Sequence, residues 1–153
     1  HKIINLMPTN LYGPNDSFSE MESHVIPGLI YRMHKSKIEG ASDFEIWGTG
    51  EPKREFMHVD DLSNAIEFLI NKKPKETLIN VGSSKEIKIK DLAKIIKDIV
   101  GYKGNLKFNS EMPDGNPRKL LDSSLINNLG WETTITLEEG LAQTYDWYLN
   151  SLN

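Results

Sequence analysis

The stretch IINLMPTNLYGPNDSFSEMESHVIPGLIYRM, Ile3 to Met33, moves from one structural habit to another within thirty residues. Ile3 to Met7 is a mostly apolar run, which reads as a short buried strand ending at Pro8. Residues 8 to 24 are rich in Pro, Thr, Asn, Gly and Asp, the residues of turns, and read as a long loop. From Val25 or Ile26 a helix begins, with Pro27 tolerated in its first turn. Ile26, Leu29, Ile30 and Met33 recur at helical spacing, and Gly40 closes the segment. A strand, an irregular loop and a helix in succession is the opening unit of an α/β fold.

The rest of the chain repeats the alternation. Phe44 to Trp47 is a strand candidate, followed by the tight loop Gly48-Thr49-Gly50-Glu51-Pro52 and an extended run from Arg54 to Val59. Leu62, Ala65, Ile66, Leu69 and Ile70 mark an amphipathic helix preceded by Asp60 and Asp61. Leu78 to Gly82 is a strand. Leu92, Ile95, Ile96 and Ile99 stripe a helix stopped by Gly101, whose start lacks a Ser or Thr cap and offers Lys88 and Lys90 instead. Leu106 to Phe108 is a short strand, and Met112 to Lys119 a loop rich in Pro and Gly. Asp122 can cap a short helix ending at Gly130, and Thr136-Leu137-Glu138-Glu139 has the form of a capping box for the last helix.

The bulk numbers set limits. The chain has 153 residues, 38% hydrophobic and 26% charged, enough for one domain with a core. A net charge of −4 argues against a general nucleic-acid surface, although not against a local basic pocket. The absence of Cys excludes disulfides and thiolate metal sites and is compatible with a cytoplasmic location. No apolar run approaches the ~18 residues of a membrane span. Residue 1 is His and no signal peptide is visible, so the expectation is a segment whose natural start lies upstream.

Ligands of α/β proteins bind at strand ends and helix starts. Thr9 and Asn10 stand at such a place, where an ordinary connection also fits. His24 lies just before a helix; an imidazole titrates near neutrality and suits a general acid, or merely caps the helix. The histidines at 1, 24, 34 and 58 are too scattered for a metal site. Arg54, beside a glycine turn, suits a diphosphate or a charged surface. Asp60 and Asp61 read as cap and helix-dipole residues rather than catalytic carboxylates. Asp114 could accept from ribose hydroxyls and Lys119 could meet a phosphate, unless their loop is only a solvated turn. Trp47 could stack on a sugar or base, or pack the core.

The runs NLMPTNLYGPNDSF, SHVIPGLIYRMH, WGTGEPKREFMHVDD, INVG, PDGNPRKLLD and LGWE, in this order, resemble the GDP-L-fucose synthases. These are extended members of the short-chain dehydrogenase/reductase family, which epimerise C3 and C5 of GDP-4-keto-6-deoxy-D-mannose and reduce its C4 ketone with NADPH. The resemblance implies an α/β substrate-binding half with a small mixed sheet and packed helices. It implies a single domain over residues 1–153, of which residues 1–12 give a strand and loop to an NADP-binding Rossmann domain upstream. By position, Pro8, Thr9, Asn10 and Leu11 would line the nicotinamide end of NADP(H). His24 would lie near the cofactor and act as an acid in the epimerisation. Arg32, Trp47, Arg54, Asp114 and Lys119 would bind the GDP-sugar.

The same resemblance implies a cytoplasmic homodimer with contacts chiefly upstream, and no nucleic-acid or membrane partner. It places the glycine-rich turn, the Tyr-x-x-x-Lys pair, the catalytic Ser and a Cys that partners the histidine upstream of this segment. The segment alone is therefore expected to be inactive. Other nucleotide-sugar epimerases, dehydratases or reductases of the family remain open, as does a non-catalytic nucleotide-sugar binding module.

Overall fold

In the computed structural model, residues 3–19 and 23–152 are described. Strand β1 (Asn5–Pro8) lies parallel to β5 (Leu78–Val81), with Leu6 opposite Ile79 and Pro8 opposite Val81. Strand β2 (Asn10–Tyr12) lies parallel to the second half of β4 (Lys53–His58). The first half of β4 is flanked by β6 (Glu86–Lys88), antiparallel, and β8 (Arg118–Lys119), parallel. A third parallel pair joins β3 (Asp43–Trp47) to β7 (Asn105–Asn109). The mixed α/β class read from the sequence is what the chain adopts, with the strands of the described residues in three sheets rather than one.

Among the described residues five helices complete the order: α1 (Val25–Ile38), α2 (Val59–Lys72), α3 (Ile89–Val100), α4 (Ser124–Asn128) and α5 (Leu137–Ser151). In α3, Leu92, Ile96 and Val100 recur every fourth residue and are buried together. Each fully buried aliphatic side chain contributes about 1.5–3 kcal/mol of transfer free energy, so this stripe fixes the helix although Lys88 provides no side-chain cap. Helix α5 carries the capping box in full: Thr136 Oγ1 accepts from Glu139 N–H at 3.3 Å, and Glu139 Oε2 accepts from Thr136 N–H at 3.1 Å. Asp122, expected to cap α4, lies one residue too early: Ser123 holds the N-cap position without a side-chain cap bond, and Asp122 Oδ1 accepts from Ser124 N–H at 3.0 Å across the turn before a helix that ends at Asn128 rather than Gly130.

Strand β4 separates two cores. Phe56 joins the cluster made by α1, α3, α5 and β3, and the next residue, Met57, joins the cluster made by α2, α4 and β5. Successive side chains on a strand point to opposite faces, so a central strand buried on both sides serves two cores at once. Glu55, Phe56, Met57 and His58 are all buried in consequence.

Several sequence expectations need correction. The first strand is shifted to Asn5–Pro8, and Pro8 lies inside it because its missing N–H is not needed at a strand end. Residues 8 to 24 are not all loop, since Asn10–Tyr12 pairs with β4; residues 20–22 of that span lie outside the described residues. The cap of α2 is His58 rather than Asp60 or Asp61: His58 Nδ1 accepts from Asp60 N–H at 3.3 Å. Both aspartates stand in the first turn, where the helix dipole favours them.

Candidate active site

After β1 the chain crosses from one ladder to another. Thr9 N–H donates to Val81 O at 3.0 Å, extending the β1·β5 ladder by one bond. The Thr9 hydroxyl and the Asn10 amide then donate to the same acceptor, Glu55 O, at 3.3 and 2.7 Å. These two side chains fix the crossing, which is why short polar residues sit there. Tyr12 then turns inward, where burial pushes its phenol well above the usual range and its hydroxyl donates to Leu137 O at 3.5 Å.

A cavity of about 510 Å³ opens beside the crossing. It is lined by Thr9, Asn10 and Leu11, by Pro14 to Asp16, by His24 to Ile26, and by Arg54 and Phe56. His24 is the N-cap residue of α1 but makes no capping bond. Its side chain is 86% exposed, and Nδ1 stands 3.9 Å from Asp16 Oδ1, so the ring is free to meet a ligand while Ile26, Leu29 and Ile30 anchor its backbone. Arg54 lies beside Lys119 across the β4·β8 ladder. Arg54 Nη1 donates to Lys53 O at 2.8 Å, and Lys119 Nζ donates to Asn10 Oδ1 at 3.4 Å. Neighbouring Arg118 is committed elsewhere, gripping Glu86 with two bonds of 2.7 and 2.6 Å.

The remaining sequence candidates form a second group near the ends of β3 and β7 and do not line this cavity. The Arg32 guanidinium sits 5.3 Å above the Phe44 ring and 5.9 Å from that of Trp47, a cation-π sandwich edge that leaves Trp47 58% exposed. Asp114 accepts from Thr49 N–H at 2.6 Å and from the Thr49 hydroxyl at 2.7 Å, tying the two loops together. The groups approach each other at Gly115, where an added Cβ would lie 3.8 Å from Arg54 Nη2. Pro8 is exposed at the end of β1 and does not line the cavity either. Tyr31 and Lys35 fall on α1 at Tyr-x-x-x-Lys spacing, yet Tyr31 packs edge-on toward Tyr148 and neither lines the cavity.

Glu55 and His58 are buried polar residues that escaped the sequence reading. Glu55 is fully buried, and its oxygens accept from Ser84 N–H at 2.7 Å and Leu121 N–H at 3.0 Å. His58 is buried edge-on to Tyr12; burial pushes its imidazole below the usual range, against the opposing pull of Asp60 and Asp61. In a run such as KREFMH, nothing local tells a central strand from an edge strand, and that is what decides whether Glu55 and His58 are inside. Among the described residues no cluster of His, Asp and Glu could hold a metal ion, and no helix is long and apolar enough to cross a membrane.

A family model described as NAD dependent epimerase/dehydratase family matches residues 1–82. GDP-L-fucose synthase 1 of Arabidopsis thaliana is 49% identical over 149 residues, 97% of this chain and 46% of that protein. The chain thus spans about half the length of the curated relatives it matches. A solved GDP-6-OMe-4-keto-L-xylo-heptose reductase from Campylobacter jejuni is 32% identical, with a TM-score of 0.87, over 97% of this chain and 54% of that one. A GDP-L-fucose synthetase from Naegleria fowleri bound to NADP is 28% identical, with a TM-score of 0.89, over 97% of this chain and 47% of that one. The resemblance read from the sequence motifs is borne out by these similarities.

Proposed function

Because the chain belongs to the NAD dependent epimerase/dehydratase family, we propose that it is the substrate-binding part of a GDP-L-fucose synthase. The reaction is the NADPH-dependent 3,5-epimerisation and 4-reduction of GDP-4-keto-6-deoxy-D-mannose. The observation that carries this reading is the single cavity into which Thr9, Asn10, Leu11, His24 and Arg54 converge from three separate stretches of sequence. The resemblance assigns these residues to the cofactor's reactive end, the proton transfer and the GDP-sugar.

The residues fit one end of NADP(H). The apolar sides of Leu11, Val25 and Phe56 beside the Asn10 amide suit a flat ring bearing a carboxamide. The sequence has no G-x-x-G-x-x-G turn for the pyrophosphate, and that part of the site is assigned to a nucleotide-binding half outside these 153 residues. The bare face of β1·β5 supports the same division. Met7 and Leu78 stand there 52% and 59% exposed, whereas parallel ladders are ordinarily covered on both faces. Residues 1–12, described from Ile3, are read as giving strand β1 to that nucleotide-binding domain, while Asn10–Tyr12 turns away from it to pair with β4.

NADPH supplies the hydride for the C4 ketone when bound. His24 holds a proton at an imidazole nitrogen and returns it to the ring carbon next to the ketone; the base that removes the original proton is assigned upstream. Arg54 meets the diphosphate, with Lys119 beside it, and Trp47 and Arg32 present a flat face and a guanidinium to the nucleoside. Without the other half the segment is expected to be inactive. In the full-length protein, Arg54→Ala is expected to weaken GDP-sugar binding by about 1.5–3 kcal/mol while leaving NADPH binding nearly unchanged. Calorimetric titration of both ligands tests this; equal losses would make Arg54 a structural residue. The similarity to a solved GDP-heptose reductase favours one alternative, a reductase for another GDP-sugar. Thermal protection of the full-length protein by a panel of GDP- and UDP-sugars separates the two.

A further inference from the structure

We propose that Glu55, which lies outside the cavity, is a positioning residue for the GDP-sugar, clamping the strand that carries Lys119 against the strand that carries Arg54. The inference rests on the function proposed above. Glu55 is fully buried at the centre of β4. A buried carboxylate is tolerated only when its oxygens are hydrogen-bonded. Here one oxygen accepts from Ser84 N–H at 2.7 Å and the other from Leu121 N–H at 3.0 Å.

Those two N–H groups belong to the segments that lead into β6 and out of β8, the two strands flanking the first half of β4. Strand β8 has only two residues, in register with Lys53 and Arg54. So short a ladder fixes little by itself, and the Glu55 carboxylate continues it beyond Lys119 by holding Leu121. The turn on the other side closes tightly over the same group. A Cβ on Gly82 would collide with Glu55 Oε1 and lie 2.9 Å from Ser123 Oγ, so only Gly allows the approach. Thr9 and Asn10 grip Glu55 differently, through its backbone carbonyl. The side chain therefore holds the strand that carries Lys119 beside Arg54, and the backbone carbonyl holds the Thr9 and Asn10 side of the cavity.

Replacement by Gln separates the two. An amide has one acceptor oxygen, and its NH2 would face a backbone N–H, so one of the two clamping bonds is lost. In the full-length enzyme, Glu55→Gln is expected to raise KM for the GDP-sugar about tenfold, equivalent to about 1.4 kcal/mol. KM for NADPH should stay within about twofold, because the carbonyl held by Thr9 and Asn10 is unchanged. Gly82→Ala keeps the carboxylate but displaces it, and should give the same split. Ser123→Ala removes a buried hydroxyl with no partner among the described residues and should change neither KM. If Glu55→Gln lowers melting temperature and kcat with both KM values unchanged, or raises both equally, the residue is structural only and the proposal is overturned. If Glu55→Gln does not fold, Gly82→Ala decides: a folded variant with normal KM for the GDP-sugar overturns it. A wild-type enzyme that neither binds nor converts the GDP-sugar overturns the functional reading first, and the positioning role with it.

Discussion

Replacing Gly48 by Ala should uncouple the loop that follows β3 from the loop that carries Asp114. Gly48 has φ +82, a region in which a residue with a Cβ is strained by about 1–2 kcal/mol. The new methyl would also fall well inside van der Waals distance of Asp114 Oδ1 and 3.3 Å from its Cα. The carboxylate would have to leave Thr49, whose N–H and hydroxyl it holds at 2.6 and 2.7 Å. Asp114 is exposed, so those bonds are worth about 1 kcal/mol rather than the larger value of a buried charged pair. Loss of glycine's freedom in the unfolded chain returns about 0.5 kcal/mol. The net cost is about 2 kcal/mol, or a melting temperature lower by roughly 4–8 °C. Gly40 is a control, since it has φ +67 with nothing within 4 Å of a Cβ, so Gly40→Ala should show the strain alone, about 1 kcal/mol. Urea denaturation of Gly48→Ala in wild-type and Asp114→Ala backgrounds closes a double-mutant cycle. A coupling of about 1 kcal/mol is expected; a Gly48→Ala cost that is the same in both backgrounds would refute the clash with Asp114.

Stability should fall as pH is lowered through the histidine range. Burial holds His58 and His34 below the usual imidazole value, so the folded state resists a proton that the unfolded state accepts from about pH 6.5 downward. Stability from these groups is therefore complete above the unfolded value and is lost as pH falls toward the folded ones, at no more than about 1.4 kcal/mol per pH unit for each; His58→Gln should flatten the curve in urea melts at stepped pH. Phe18 stacks on Tyr148 and Trp147 with centroids 4.8 and 5.8 Å away, pinning the loop around it, so Phe18→Ala should raise amide exchange at residues 15–19 more than in α3. Removing the cap hydroxyl by Thr136→Ala should cost about 1 kcal/mol, read by thermal melting.

Sequence legibility followed the range of the interactions. Helices α3 and α5 were readable because their signals are local: a stripe of Leu92, Ile95, Ile96 and Ile99, and a capping box within four residues. Strands β2 and β6 were not, since three residues such as NLY or EIK carry no period and become strands only by pairing with β4. Asp60 and Asp61 looked like caps because their type and place fit. The cap fell to His58 instead, which burial aligns with the helix start, leaving Asp61 to accept from Thr134 and Ile135. For the site, the motifs named His24 and Arg54, and the fold brought both to one cavity. The clamp by Glu55 was invisible because its partners lie 29 and 66 residues away and are backbone N–H groups, which leave no trace in residue type.

The most direct test concerns His24, because the proposed chemistry requires an acid at the sugar and not merely a contact with the cofactor. His24→Gln in the full-length protein keeps a polar side chain at the N-terminus of α1 and removes the imidazole. Solvent-deuterium incorporation at C3 and C5 of the bound GDP-sugar, followed by NMR, reads the epimerisation apart from hydride transfer. The exchange is expected to slow by roughly 10²–10⁴-fold with GDP-sugar affinity retained, and fucose formation to fall with it. Exchange at the wild-type rate, with affinity lost only for NADPH, would contradict a proton-transfer role for His24 and leave it a cofactor contact.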